Sequence, residues 1–390
     1  MRRVRLKEFG TFYSGLSGKS KSDFSEGNAL LVTYRNIFNN PVLNPAIKDT
    51  VVVGKDEKQN EVLWGDILIT GSSETPADAG MSSVVLFNPQ EKMYLNSFCF
   101  GFRLNDMNEA LPSYIGHLLR STSIRAAISK TAFGVTRFNV NRMRFADIEI
   151  PLPPLNIQKE IVSILDSFTS LIDKMKQEVE MRKKQMEYYR EKLMAPQTNW
   201  KIKTLGEIGT FTRGNGLQKS DFRVKGFPCV HYGQIHTYYN TCIYKTKSFC
   251  EEDLAKKLQK ASYGDLLIAT TSEDVKACCK AAVWFGAGDV AYSGDSFCYS
   301  HDQDPKYMAY LFQTEMFAKQ KQKAATGAKV IRVSGESMAS FSFAFPPLVQ
   351  QRQIASILDT FESYISKLEK MIELRQKQYE YYREKLLTFE

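Results

Sequence analysis

The chain of 390 residues is long enough for two or three domains with cores of their own, and 43% hydrophobic with 12% aromatic residues excludes a disordered chain. Lys and Arg outnumber Asp and Glu by 52 to 43, a formal charge of +9 that suits an anionic partner such as nucleic acid. No apolar run approaches the ~20 residues of a membrane span, the basic N-terminus lacks the apolar stretch of a secretory signal, and seven scattered cysteines point to a reducing, cytoplasmic setting and not to a disulfide framework.

Taken in chain order, residues 1–150 read as an α/β or α+β segment. GTFYSGLSGKSKSDF (10–24) is followed by the strand WGDILIT (64–70), then SSE (72–74), SFCF (97–100), the helical SYIGHLLRSTSIRAAIS (113–129) and TAFGVTRFNVNRM (131–143). SGKS (17–20) looks like the end of a phosphate-binding loop, but Tyr13 stands where the leading glycine belongs, so no nucleotide site is expected.

Residues 151–195 open on Pro-Pro and then contain no Gly or Pro until Pro196, which predicts a long helix. Leu165, Phe168, Ile172, Met175, Val179 and Tyr189 fall on a heptad pattern interrupted only at Arg182, the signature of a coiled-coil seam.

Residues 196–343 repeat the first segment faintly. GTFTRGNGLQKSDF lies at 209–222, YGDLLIAT at 263–270, TSE at 271–273 and SFCY at 296–299; TGAKVIRVSGESM (326–338) aligns with TAFGVTRFNVNRM, which places Arg332 over Arg137. Cys229, His231, His236 and Cys242 match no standard zinc spacing, so no metal is expected.

Residues 344–390 then repeat the helix. PPLVQQRQIASILDTF (346–361) lies over PPLNIQKEIVSILDSF (153–168), and EYYREKL at 380–386 over the same seven residues at 187–193. Here the seam runs through Leu358, Phe361, Ile365, Leu368, Ile372 and Tyr382, interrupted at Arg375. Two such helices in a tandem repeat most simply pair antiparallel, giving two recognition-sized domains related by a pseudo-twofold axis. Each helix of roughly 38 residues spans ~57 Å.

The order globular segment, helix, globular segment, helix, with IPLPPLNIQKEIVSILD and FPPLVQQRQIASILD at the two junctions, resembles a specificity subunit of a type I restriction-modification system. The Gly-Asp-Ile/Leu-Leu-Ile strands and the starts Arg5-Leu6-Lys7 and Lys203-Thr204-Leu205-Gly206 fit the same likeness. The resemblance implies two target recognition domains, each reading one half of a bipartite DNA sequence, with the helices fixing the unread gap. It also implies double-stranded DNA and two methylation subunits as partners, with S-adenosylmethionine bound on those subunits, and possible motor-nuclease subunits. The chain itself lacks the Asn/Asp-Pro-Pro-aromatic motif and Gly-rich loop of an amino-methyltransferase, and its four histidines form no evident triad, so it reads as non-enzymatic with no cofactor of its own. The rival reading is a coiled-coil protein–protein adaptor with no DNA role.

DNA sequence is read by hydrogen bonds to base edges, and phosphate contacts set register. In the first domain the candidate residues are Ser17, Lys19, Ser20 and Lys21; Tyr34, Arg35 and Asn36; Ser72 and Ser73; and Thr136, Arg137, Asn139 and Arg142. In the second they are Arg213, Asn215, Gln218 and Lys219; His231, Tyr232, Gln234 and His236; Thr271 and Ser272; and Lys329 and Arg332. Lys19 and Lys219 are expected on phosphates. The differing triplets Tyr34-Arg35-Asn36 and Tyr232-Gly233-Gln234 are expected to read bases.

Overall fold

The computed structural model describes residues 2–389. It divides into two compact units: one of Met1–Lys176 with Lys370–Glu390, the other of Gln177–Glu369. The division cuts through both long helices, Leu155–Leu193 and Leu348–Leu387, because each globular segment keeps the two half-helices packed against it.

In the first unit an antiparallel sheet is ordered Gly10–Ser14, Cys99–Leu104, Ile67–Thr70, Ser82–Val84, and a smaller sheet pairs Ala29–Val32 antiparallel with Thr50–Val51 and parallel with Met93–Leu95. Arg2–Arg5 pairs with Glu149–Leu152, so the start of the chain lies beside the strand that leads into the first long helix. Ser72–Ser73 is the third strand of a hairpin formed by Ala132–Phe133 and Phe138–Val140. The core is aromatic: Phe12 meets Phe102 at 4.7 Å between ring centroids, and Phe100 meets Phe145 edge-on at 5.5 Å.

The second unit is built on the same plan. Gly209–Arg213, Ser296–His301, Leu266–Ala269 and Lys280–Trp284 form its main sheet, with Cys242–Ile243 added at the edge. A four-stranded sheet is ordered Ser248–Cys250, Phe227–Val230, Val290–Tyr292, Lys260–Ala261, and Thr271–Ser272 pairs with Ile331–Arg332. The Gly-Asp strand entry has one cause in both units. Gly65 and Gly264 have φ of +85° and +93°, a left-handed turn that favours glycine. The following carboxylate accepts from the backbone three residues earlier, Leu63 N at 2.8 Å and Ser262 N at 2.7 Å.

The repeated helix motif is a set of attachments. Gln158 is fully buried; its amide donates to the Pro153 and Glu109 carbonyls (2.8 and 2.9 Å) and its carbonyl accepts from Leu111 N at 2.9 Å. Gln351 does the same with Pro346 O, Gln303 Oε1 and Asp304 N. The Asp of Ile-Leu-Asp then fastens each long helix to the short helix of its own unit: Asp166 to His117 Nε2 at 2.8 Å, and Asp359 to the Tyr310 hydroxyl at 2.9 Å and to Lys306.

EYYREKL is repeated for the same reason. Its second Glu accepts from the backbone N–H that opens a helix: Glu384 from Thr122 N (2.9 and 3.0 Å) in the first unit, Glu191 from Glu315 N (3.2 Å) in the second. Its second Tyr stacks on the seam Phe of the other helix, Tyr382 on Phe168 at 5.5 Å and Tyr189 on Phe361 at 5.6 Å. The pairing is antiparallel within each unit. In the first, Ile161 and Leu165 share a core with Leu387; in the second, Arg182 lies over Tyr364, Lys183 pairs with Glu369, and Tyr189 reaches back to Phe361. Leu165, Ile172, Val179, Leu358, Ile365 and Leu368 are buried, Phe168, Met175, Tyr189, Phe361 and Ile372 half-buried, and Tyr382 is the most open member of the seam. Arg182 stays within the seam by lying on the Tyr364 ring and bonding Glu178 at 2.8 Å.

Two alignments read from the sequence are shifted by two residues. Phe102 faces Ile67 and Tyr299 faces Leu266, so Tyr299 is the counterpart of Phe102 and SFCY does not lie over SFCF. Likewise Gly134 and Gly327 share a positive φ and the same close carbonyl three residues on, and Asn141 and Ser334 both cap the next helix. Arg332, paired with Thr271, therefore stands where the first unit has Asn139, paired with Ser72; it is not the counterpart of Arg137.

Candidate nucleic-acid interface

Each unit has an open cleft beside the short helix that follows its small parallel pair of strands, and the two clefts share the wall made by Tyr34 or Tyr232 with Asn96 and Phe98 or Ser293 and Asp295. In the first unit that helix is Tyr34–Asn39, started by Thr33, whose hydroxyl accepts from Asn36 N. A cleft of about 630 Å³ lies between this helix, the strand Ser72–Ser73, the loop at 96–98 and the hairpin. Tyr34, Ser72, Ser73, Thr136 and Arg137 are brought together there. Tyr34 stacks on Phe38 at 5.7 Å, and the Arg137 guanidinium lies 5.0 Å over the Phe98 ring while donating from Nε to Ser72 Oγ at 3.0 Å. Phe98 is 57% exposed, a flat apolar face held open beside hydrogen-bonding groups. Glu74 and Asp78 share the wall. A carboxylate accepts from the amino group of cytosine but repels phosphate, so this wall suits base edges better than a DNA backbone.

In the second unit a cavity of about 500 Å³ is lined by Arg213, Asn215, Gln218, His231 and Tyr232, together with Ser293, Gly294 and Asp295. Tyr232 stands where the first unit has Tyr34. Ser293 and Asp295 stand in place of Asn96 and Phe98, so an apolar, cation-capped floor in one unit is a carboxylate in the other. Burial, with the Lys219 ammonium adding to it, holds His231 below the ordinary imidazole value, and its Nδ1 accepts from Gly233 N at 3.1 Å. Arg213 Nε donates to Gly294 O at 3.1 Å.

Other candidates are committed to holding the fold. Lys19, expected on a phosphate, donates instead to Val52 O at 2.7 Å and pairs with Glu57. The Lys19 ammonium, the Gln59 amide and Gly54 N–H together hold the Glu57 carboxyl down at about 2. The structural counterpart of Lys219 is Lys21, since both begin the single turn of Lys-Ser-Asp, and both are exposed. Ser20 closes that turn against Asp23 and Ser17 pairs with Gln59 through its backbone.

Both amides of the expected base-reading triplets are also spent internally. Asn36 donates to Asn44 O and accepts from Asn44 N and Asn40, and Gln234 accepts from His231 N and donates to Ser248 Oγ at 2.7 Å. Asn215 bridges Lys257 O and Gln259 N, and His236 Nε2 meets Thr271 O at 2.9 Å. Arg142 donates to Ser14 Oγ and lies over Phe100. Arg35, Asn139, Lys329 and Arg332 are exposed, and Ser272 is half-buried in its short strand beside Thr271. Phe38, Asn96, Phe98, Ser293 and Asp295 were not singled out by sequence reasoning. Exposed Phe98 carried a signal in its neighbour Asn96, a polar residue before an apolar strand, but only the fold places it under Arg137.

Two mixed α/β domains of one plan, each fastened to long helices that carry a seam, define a protein built to present two related surfaces. The family model for the type I restriction modification DNA specificity domain matches twice, over residues 1–181 and 197–376, and the chain belongs to this family. It is 30% identical over 272 residues to a putative type I restriction enzyme specificity subunit of Haemophilus influenzae, covering 66% of this chain and 68% of that protein. It is 28% identical over 256 residues to the EcoR124I/EcoR124II specificity subunit of Escherichia coli, covering 62% of this chain and 63% of that one. The fold matches the type I restriction-modification S subunit from M. genitalium with a TM-score of 0.56 at 15% identity, over 100% of this chain and 96% of that one. It also matches a chain from a study of complex assembly and conformational transition of the type I R-M system, with a TM-score of 0.60 at 14% identity, over 99% and 97%. The adaptor reading finds no support in these matches. Among the described residues no helix is long and apolar enough to cross a membrane.

Proposed function

We propose that residues 1–150 and 196–343 each read one half of a bipartite DNA target, and that the helices within 151–195 and 344–390 set the unread gap. On this reading the chain is the non-catalytic, DNA-recognising part of a complex. It directs partner methylation subunits, which carry S-adenosylmethionine and modify adenine N6, and it serves a motor-nuclease subunit where one is present. The cytoplasm, where such a complex meets DNA, is its setting.

The observation that carries the reading is the pair of clefts that share one wall on equivalent elements of the two units. The backbone plan, the Gly-Asp turn and the helix attachments are held in common, while on the wall the two clefts share Phe98 is exchanged for Asp295 and Asn96 for Ser293. A common frame with exchanged hydrogen-bonding groups is what two half-sites of different sequence require. The long helices support docking of partners: Ile164 and Ile357, Met181 and Leu374, and Tyr188 and Tyr381 occupy matching positions of the repeat and are 41% to 61% exposed. The test is genomic methylation mapping of the source cell with and without this gene. Loss of one bipartite adenine motif supports the reading; an unchanged methylation map refutes it.

A further inference from the structure

Beyond the two clefts, each unit carries a hairpin arm with side chains exposed at its turn and along one face. In the first unit the arm is Ala132–Phe133 with Phe138–Val140, and its turn leaves Phe133 and Val135 58% and 90% exposed. In the second the arm runs through the Thr326–Arg332 bridge to the strand Ile331–Arg332, with Lys329 and Val330 exposed at its turn. Both arms are anchored the same way, by a backbone pairing to the two-residue strand, Ser72–Ser73 or Thr271–Ser272, that lies one residue beyond the Gly-Asp strand. Strand alternation sets the outward positions. Ile331 and Val333 are buried and Arg332 between them is exposed; Val140 is buried, Phe138 half-buried, and Asn139 between them is exposed. The pairings of Asn139 and Arg332 run through their backbones, to Ala132's hairpin strand and Ser72 in one case and to Thr326 and Thr271 in the other.

Resting on the recognition reading above, we infer that these arms enter the DNA major groove as two-stranded ribbons, and that Asn139 and Arg332 are the equivalent base-reading residues of the two half-sites. The major groove admits a two-stranded β-ribbon. There an Asn side chain matches the N6–H donor and N7 acceptor of adenine, and an Arg guanidinium donates to O6 and N7 of guanine. The first domain therefore requires an adenine, and the second a guanine, at corresponding points of their half-sites. In the first arm Val135 supplies an apolar contact of the kind a thymine methyl accepts, and the neighbouring Arg137, already committed to Phe98 and Ser72, holds the base of the arm.

The test is methylation of a randomised duplex library by the chain reassembled with its methylation subunits, read by sequencing. Arg332→Ala should lower discrimination at one guanine of one half-site by about 10- to 100-fold, and Asn139→Ala should do so at one adenine of the other half. The gap and the remaining bases should not change. Both side chains are exposed, so unchanged thermal melting separates this from misfolding. An unaltered motif with methylation retained overturns the inference. So does a uniform loss across all sequences with a shallower salt dependence, which is the behaviour of a phosphate contact. A wild-type complex that methylates without any bipartite motif overturns the recognition reading itself, a result distinct from either.

Discussion

Replacing Gln158 by Leu tests whether the repeated Pro-Pro-Leu-x-x-Gln phrase is an attachment or only a helix start. The side chain is fully buried, so the substitution conserves approximate volume while removing three hydrogen bonds. It leaves Leu111 N–H and the Pro153 and Glu109 carbonyls without these partners. Each buried group left unsatisfied costs about 1–3 kcal/mol. Glu109 lies at the surface, where water can replace the lost donor, so two groups carry the penalty and the expected loss is about 2–6 kcal/mol. That is a large share of the roughly 5–15 kcal/mol that holds a domain folded. Gln158→Glu should be at least as damaging, because a second acceptor then faces two carbonyls in a dry site. The assay is urea unfolding of the full chain followed by amide hydrogen exchange, which reports each unit separately where a single transition would not. At a slope of about 2 kcal/mol/M the midpoint should move by roughly 1–3 M. Lost protection should be concentrated in Arg2–Arg5, Pro112–Leu119 and Glu149–Leu152. Gln351→Leu should move the damage to the second unit. A loss below about 0.5 kcal/mol, the level of an ordinary surface substitution, would refute the attachment argument.

Glu384→Ala removes the acceptor at Thr122 N and should destabilise the first unit by about 0.5–2 kcal/mol; Glu191→Ala should do the same to the second unit at Glu315 N, both read by thermal melting with exchange to localise the change. Burial depresses the imidazoles of His231 and His301, each of which accepts a backbone N–H at Nδ1. The unfolded chain therefore takes up protons that the folded second unit resists as pH falls through about 6.5. Stability should be full above that pH and decline below it, and melts between pH 7.5 and 5.0 should flatten when both histidines are replaced by Asn. Deleting one heptad from each long helix shortens each by about 10 Å and should shorten the unread gap by roughly three base pairs at 3.4 Å per step. Half-site bases that change at a constant gap, seen in methylation mapping, would count against the helices as spacers.

Much of the architecture was legible because its signals are local. The heptads through Leu165 and Leu358, the Pro-Pro starts and the two EYYREKL phrases lie within single helices, and helix periodicity depends only on near neighbours in sequence. Antiparallel pairing followed from chain order, and Phe168 on Tyr382 with Tyr189 on Phe361 accounts for the seam. The strand registers were harder. A slip of two residues keeps every side chain on its own face, so SFCF over SFCY and Arg137 over Arg332 looked sound while both were displaced.

The sequence by itself determined the repeat, the long helices, the seam and the class of fold, since these follow from spacing along one chain. Only the tertiary structure decided which polar residues are free. Lys19 is taken by Val52 and Glu57, Asn36 by Asn44, and Asn215 by Lys257 and Gln259. The Phe98 ring lies under Arg137, and Arg332 stands in the place of Asn139. A hydrogen-bonding group is available to a ligand only when no distant segment of its own chain has already satisfied it, and that depends on folding in three dimensions.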